Sequence, residues 1–163
     1  MVDAGAHGKY RLHADGAARG NPGPAAFGFV LEGPDGAPVA EGGEVVGHAT
    51  NNVAEYRGLL AGLESALALG VCELDIRLDS ELVVRQLTGR YRVKNAGLKP
   101  LHARAAQLLG RFAAWSVQHV PREANRHADE LANRALDGLP IRPGPRASTA
   151  VEAGTRVREE SAR

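Results

Sequence analysis

The chain has one cysteine among 163 residues, no apolar run long enough to cross a bilayer, almost no net charge and no internal repeat. A lone thiol, Cys72, excludes an intramolecular disulfide framework and favours a reducing compartment. Without Cys and His pairs at zinc-ligand spacing, any metal should be a hard cation held by carboxylate oxygens. The opening stretch MVDAGAHGK lacks the apolar segment of a secretory leader, so a cytoplasmic protein with no membrane partner is expected. A formal charge of +1, from 20 Lys and Arg against 19 Asp and Glu, gives no global attraction to polyanions. The missing repeat excludes a solenoid.

The charge that is present is unevenly placed. Between Glu81 and Arg111 stand seven bases (Arg85, Arg90, Arg92, Lys94, Lys99, Arg104 and Arg111) and one acid, Glu81. Such a strip can follow a phosphate backbone while the molecule as a whole stays near neutral. The length suits one domain, and the spacing predicts its elements. Tyr10, Leu12 and Ala14 alternate with Arg11, His13 and Asp15, which reads as a strand over 9–15 ending at an Asp-Gly turn. Phe27, Phe29 and Leu31 continue in alternation to a Gly-Pro-Asp-Gly turn at 33–36, and a Gly-rich strand follows to complete an antiparallel meander. Tyr56, Leu59, Leu60, Leu63 and Leu67 recur at helical steps, which predicts a helix over 53–69 closed by Gly70. Cys72, Leu74, Ile76 and Leu78 then alternate as buried positions of a fourth strand that ends at Asp79 and Ser80. Helices are expected over 80–87 and 101–111, a fifth strand over 114–120 with Trp115, Val117 and His119 in alternation, and a last helix after PREAN with Leu131 and Leu136 inward. Residues 1–8 read as an N-terminal extension, 9–137 as the domain and 138–163 as a disordered tail or linker.

Four acids carry the chemical argument. Asp15 has a turn reading. Glu55 fits a capping box with Asn52, in the first turn of its helix. Asp79 reads as an N-cap, and Asp129 as a first-turn acid after Asn125. A strand that follows a crossover helix can lie parallel to an earlier one. If the fourth strand lies beside the first, two strand ends and two helix starts meet at one edge of the sheet. Carboxylates gathered there repel one another unless a cation compensates. Mg²⁺ prefers such oxygen ligands, and two ions can support both sides of a phosphodiester displacement. The cluster therefore predicts phosphodiester hydrolysis.

Five segments, DGAARGNPGPAAFGFV, TNNVAEYRGLLAGLESAL, LDSELVVRQL, VKNAGL and HVPREANRHADELANRAL, resemble in order and spacing those of type 1 ribonuclease H over residues 9–137. The resemblance implies an α/β fold: a ribonuclease H-like five-stranded mixed sheet, a meander of three strands plus two parallel strands, flanked by helices. It implies a monomeric endonuclease that cuts the RNA strand of an RNA/DNA hybrid with two Mg²⁺ ions, Mn²⁺ being a possible substitute, and leaves 5′-phosphate and 3′-hydroxyl ends. On its pattern Asp15 bridges both ions, Glu55 and Asp79 hold the leaving-group ion, and Asp129 holds the ion that activates water. Gly16, Asn51 and Asn52 match positions that read hybrid sugars and the minor groove, while Thr50 and Asn95 match residues that grip a phosphate of the DNA strand. The link PREA is too short for the usual catalytic-loop histidine. His119 reads as a strand residue, which leaves His127 or Arg122 as a replacement, and Arg122 is preferred because some compact relatives carry a similar VPRE stretch. There is no basic helical insertion before VKNAGL, so the basic strip itself must supply affinity for the DNA strand. Competing readings are a noncatalytic hybrid-binding module and a DNA-only nuclease. Some bacterial relatives fuse such a domain to a phosphatase-like one, so the chain could be part of a larger protein.

Overall fold

The computed structural model describes residues 7–141. Strands β1 (Lys9–Ala18), β2 (Gly23–Glu32) and β3 (Pro38–Ala49) form the expected meander, and β4 (Glu73–Leu78) and β5 (Ala114–His119) extend the same sheet in the order β3-β2-β1-β4-β5. The β1/β4 and β4/β5 pairs are parallel, the other two antiparallel. Helices α1 (Asn51–Ala68), α2 (Glu81–Leu87), α3 (Lys99–Leu109) and α4 (Arg126–Leu136) complete the fold, with a 3-10 turn, Arg122–Asn125, in the PREA link. No helix among the described residues is long and apolar enough to cross a membrane. Most of the expected tail, residues 142–163, lies outside the described residues, as do residues 1–6 of the N-terminal extension.

Alternation along the strands sorts the side chains into two layers. Leu12 and Ala14 of β1, Leu74, Ile76 and Leu78 of β4, and Leu59 and Leu63 of α1 are buried together in the main core. Each large apolar side chain so buried stabilises the fold by about 1.5–3 kcal/mol. Helix α1 lies close on the sheet because its inner face is small: a Cβ on Gly62 would sit 2.5 Å from Leu12 Cδ1, and one on Gly58 would sit 3.1 Å from the Asp15 carbonyl oxygen. Helix α4 covers the opposite face, where a Cβ on Gly28 would meet the Ala128 carbonyl at 2.2 Å.

Several local expectations are corrected. Strand β1 runs through Asp15 and Gly16 to Ala18, so no turn ends it at Asp15; the antiparallel ladder with β2 pairs Asp15 with Gly28 and continues to Ala18. Helix α1 begins two residues early and is capped by Thr50, whose hydroxyl accepts from the Val53 amide at 3.2 Å. The Asn52 cap and its box with Glu55 are therefore absent, and Glu55 sits beyond the first turn. Ser80 rather than Asp79 caps α2, accepting from the Val83 amide at 3.3 Å. Helix α3 starts two residues earlier than its apolar stripe suggests, with Pro100 in its first turn, where a missing N–H costs nothing. Cys72 lies before β4 and is exposed: the β4 ladder begins at Glu73, and the run of alternation overshoots it by one position. Leu136 is only half-buried, so Leu131 and Ala128 carry the inner face of α4.

Candidate active site

The parallel register sets the site. Its last β1/β4 pair is Ala14 with Leu78, so Asp15 and Asp79 are the next residues on adjacent strands and leave the ladder side by side. Glu55 reaches them from α1. One carboxylate oxygen from each of Asp15, Glu55 and Asp79 lies within 4.8 Å of the other two. Asp129, in the first turn of α4, comes within hydrogen-bonding reach of Asp15. The structure thus brings together all four acids, three tightly and the fourth beside Asp15.

These carboxyls are held where charge is costly. Asp15 is 3% exposed and Glu55 is 8% exposed. Burial first, then the charges of Glu55 and Asp79, push Asp15 up to about 11. Burial and the charge of Asp79 push Glu55 up to about 8, with Asp15, the Gly16 amide and the Arg122 guanidinium pulling it partway back. Glu55 Oε1 is fully buried and has no hydrogen-bond partner.

Sequence-distant contacts hold this arrangement. A Cβ on Gly16 would fall 2.3 Å from the Glu55 amide nitrogen and 2.4 Å from the Ala54 carbonyl carbon. Only a glycine after Asp15 lets the start of α1 close over β1, so Gly16 acts on the site through packing. Asn125, 1% exposed, donates from Nδ2 to the Ala14 carbonyl at 2.8 Å and pairs through Oδ1 with His13 Nδ1 at 2.9 Å. It ties the strand next to Asp15 to the start of α4. Asn133 donates to the Asp129 backbone oxygen at 3.0 Å and lies 3.4 Å from its Oδ1. Asn21 Oδ1 accepts from the Asn51 amide at 3.0 Å, fastening the β1–β2 loop to α1. None of Asn21, Asn125 (read only as the residue before the helix) or Asn133 stands out in the sequence as a site residue. The Asn-Pro-Gly turn around Asn21 and the single polar residue between PREA and the last helix were the available signals.

Arg122, 77% exposed in its side chain, places Nη2 3.9 Å from Asp129 Oδ1. His127 Nε2 instead lies 2.9 Å from Glu41 Oε1, and His119 lines a hollow with Glu81, Arg85 and Thr88 beside α2. Of the basic residues considered for the catalytic loop, Arg122 is the one that faces the acids. Among the expected substrate residues, Thr50 uses its hydroxyl as the α1 cap. Asn95 Oδ1 accepts from the Gly97 and Leu98 amides at 2.7 and 3.2 Å, which leaves its amide nitrogen to face outward partners. Asn52 and Asn95 line one cleft of about 500 Å³ together with Arg90, Arg92 and Lys94. The side chain of Asn51 is exposed at the helix start.

A family model described as reverse transcriptase-like matches residues 13–135. Fold and acid cluster together define a ribonuclease H-like protein. A ribonuclease HI of Halobacterium salinarum is 53% identical over 129 residues, covering 78% of this chain and 65% of that protein. A bifunctional protein of Mycobacterium tuberculosis is 48% identical over 130 residues, covering 79% of this chain and 36% of its own length. The chain therefore spans about two thirds of the first relative and about a third of the second. Among solved structures, LC11-RNase H1 in complex with an RNA/DNA hybrid superposes with a TM-score of 0.76 at 40% identity, covering 79% of this chain and 97% of that one. The chain belongs to the type 1 ribonuclease H family.

Proposed function

We propose that the protein is an endoribonuclease that hydrolyses the RNA strand of RNA/DNA hybrids with two Mg²⁺ ions and leaves 5′-phosphate and 3′-hydroxyl ends. The observation that carries the reading is the convergence of Asp15, Glu55 and Asp79 within 4.8 Å, with a buried Glu55 oxygen lacking any partner. An all-oxygen donor set whose members repel one another, with Asp15 and Glu55 pushed up by burial and by neighbouring charge, fits a hard divalent cation, which would replace the protons those two hold. Asp15, Glu55, Asp79 and Asp129 would hold the ions, Asp15 shared between them. When bound, the ions would supply Lewis-acid stabilisation of the phosphodiester and of its leaving oxygen. Mn²⁺ meets the same donor set.

The chain's own residues do the rest. Arg122 sits at the mouth of the site, where its cation can steady negative charge beside Asp129. Asn51 and Asn52 present amides at the start of α1, where a 2′-hydroxyl can be met by both donor and acceptor. Asn95 and the bases around it offer donors to phosphates of the uncut strand. The hybrid-bound relative at 40% identity supports the substrate class.

The test is a hybrid labelled on either strand, incubated with Mg²⁺ and resolved by end-group chemistry. Cleavage confined to RNA, with 5′-phosphate products and no cleavage by Asp15→Asn, is expected. Binding without cleavage would make the protein a hybrid-binding module, and cutting of duplex DNA with hybrids spared would make it a different nuclease.

A further inference from the structure

Helix α4 lies on a floor without side chains. A Cβ on Gly28 or on Gly43 would collide with the Ala128 or the Leu131 carbonyl oxygen of that helix. Such a floor lets the helix come close, yet it offers no ridge to stop sliding or turning, since the register of packed elements comes from interlocked side chains. Another contact must fix where Asp129 stands relative to Asp15, and the start of the helix supplies it.

Asn125 occupies the N-cap position of α4, but its side chain makes no cap hydrogen bond. An asparagine there ordinarily accepts from the first amides of its own helix. This one turns to β1 instead and, fully buried, uses both ends of its amide on that strand, at Ala14 and at His13. A backbone carbonyl can only accept, so the Asn125 nitrogen must face Ala14 and its oxygen must face His13. The imidazole Nδ1, 2.9 Å away, therefore carries a proton. His13 is held in turn: its side chain is 14% exposed, Val30 and Arg77 stand opposite it on the neighbouring strands, and Nε2 lies 3.8 Å from Glu32 Oε1. One bond alone would leave the Asn125 amide free to swivel about the Ala14 contact, and the second fixes its plane. Asp129 follows Asn125 by one helical turn on the same side of α4, so the orientation of this clamp is passed on to that carboxyl.

We propose that His13 is a positioning residue for the metal centre: its Nδ1–H locks the Asn125 amide across β1 and so sets Asp129 where it can share an ion with Asp15. The proposal rests on the metal-dependent reading above. Glu55 stands on α1 and Asp79 at the end of β4, elements that Asn125 does not bond, so the ion that touches Asp129 is the one that feels His13. A donor at one ring nitrogen is the whole requirement, which separates this role from the filling of space. His13→Asn sets its amide nitrogen as many bonds from the backbone as Nδ1 stands, whereas His13→Leu fills the space and offers no donor.

The experiment measures Mg²⁺ uptake by titration calorimetry on the full chain, for wild type, His13→Leu, His13→Asn, Asp129→Asn and the double variant His13→Leu/Asp129→Asn, with thermal unfolding to check that each is folded. His13→Leu should weaken uptake roughly tenfold, the low end for a group that orients a ligand from outside the metal's own shell. His13→Asn should recover most of that loss. In the Asp129→Asn background His13→Leu should have no further effect, because the carboxyl it orients is gone. Unchanged uptake in His13→Leu or no recovery in His13→Asn would overturn the proposal. So would an equal loss in both backgrounds, which is the mark of a general loosening of the fold. Long-range proton–nitrogen NMR on the wild-type imidazole needs no variant: it should find a proton on Nδ1, and a ring bare at Nδ1 would refute the clamp. Hybrid cleavage is scored separately, so a chain with this pattern of ion uptake that never cuts refutes the nuclease reading alone, and one that cuts with the pattern missing refutes the role of His13 alone.

Discussion

Asp15→Asn should stabilise the metal-free protein while abolishing its activity. The unfolded side chain titrates near its ordinary 3.8, while the folded one is pushed up to about 11. A group raised on folding contributes its full stability below the unfolded value and loses it as pH climbs toward the folded one. At pH 7 the folded chain must therefore take up a proton that the unfolded chain has released, at a cost of at most about 4 kcal/mol, the roughly 3-unit gap between pH 7 and the unfolded value converted at about 1.4 kcal/mol per unit. Asparagine keeps the shape of the protonated acid and needs no proton, so it removes that cost. For a chain of this size the gain is several degrees in Tm, up to about 16 °C at the limiting cost. Glu55, pushed up to about 8, imposes a second loss of the same sign between pH 5 and 8. Metal-free wild type should thus lose stability with two protons' worth of slope over that range and the variant with one. Calorimetric unfolding in chelator at several pH values reads both quantities. Saturating Mg²⁺ should raise the wild-type Tm far more than the variant's, since binding to the folded state alone adds to its stability. Equal Tm values at pH 7 in chelator, together with an unchanged pH slope, would refute the claim that this carboxyl is held against its preferred charge.

Gly16→Ala forces a methyl group into the backbone of α1, and urea unfolding should show a loss of about 1–3 kcal/mol with hybrid cleavage nearly gone. Asn125→Ala leaves the Ala14 carbonyl without its donor, at about 1–3 kcal/mol; titration calorimetry should also show weakened Mg²⁺ uptake, because Asp129 loses the anchor at the head of its helix. Arg122→Ala should lower kcat by roughly tenfold or more while KM barely moves, as loss of a cation that meets charge developed only in the transition state would do. Steady-state kinetics showing the reverse pattern would make Arg122 a binding residue.

The layout of the sheet was legible because it rests on local periods: Phe27, Phe29 and Leu31 alternate, and the crossover through α1 returns β4 beside β1. That placement alone brought Asp15 next to Asp79. What escaped depends on contacts between distant segments. Asp15-Gly16 has the local look of a turn, yet it stays in the strand because the glycine is pressed under α1. The paired asparagines before Val53 drew the cap away from Thr50, the residue that fills it. Asn125 reads as an ordinary helix start, and nothing within ten residues of it hints at the buried bonds to His13 and Ala14, 112 and 111 positions away. The resemblance favours Arg122 over His127, and the 2.9 Å approach of His127 Nε2 to Glu41, away from the acids, supplies an independent physical reason.

Helix α4 rests almost directly on the backbone of β2 and β3, at Gly28 and Gly43, and it is the last helix among the described residues. During synthesis the growing polypeptide therefore acquires Asp15, Glu55 and Asp79 before the segment that shields this face and brings Asp129. A nascent chain halted before Arg126 would expose a bare glycine-lined groove and an incomplete donor set.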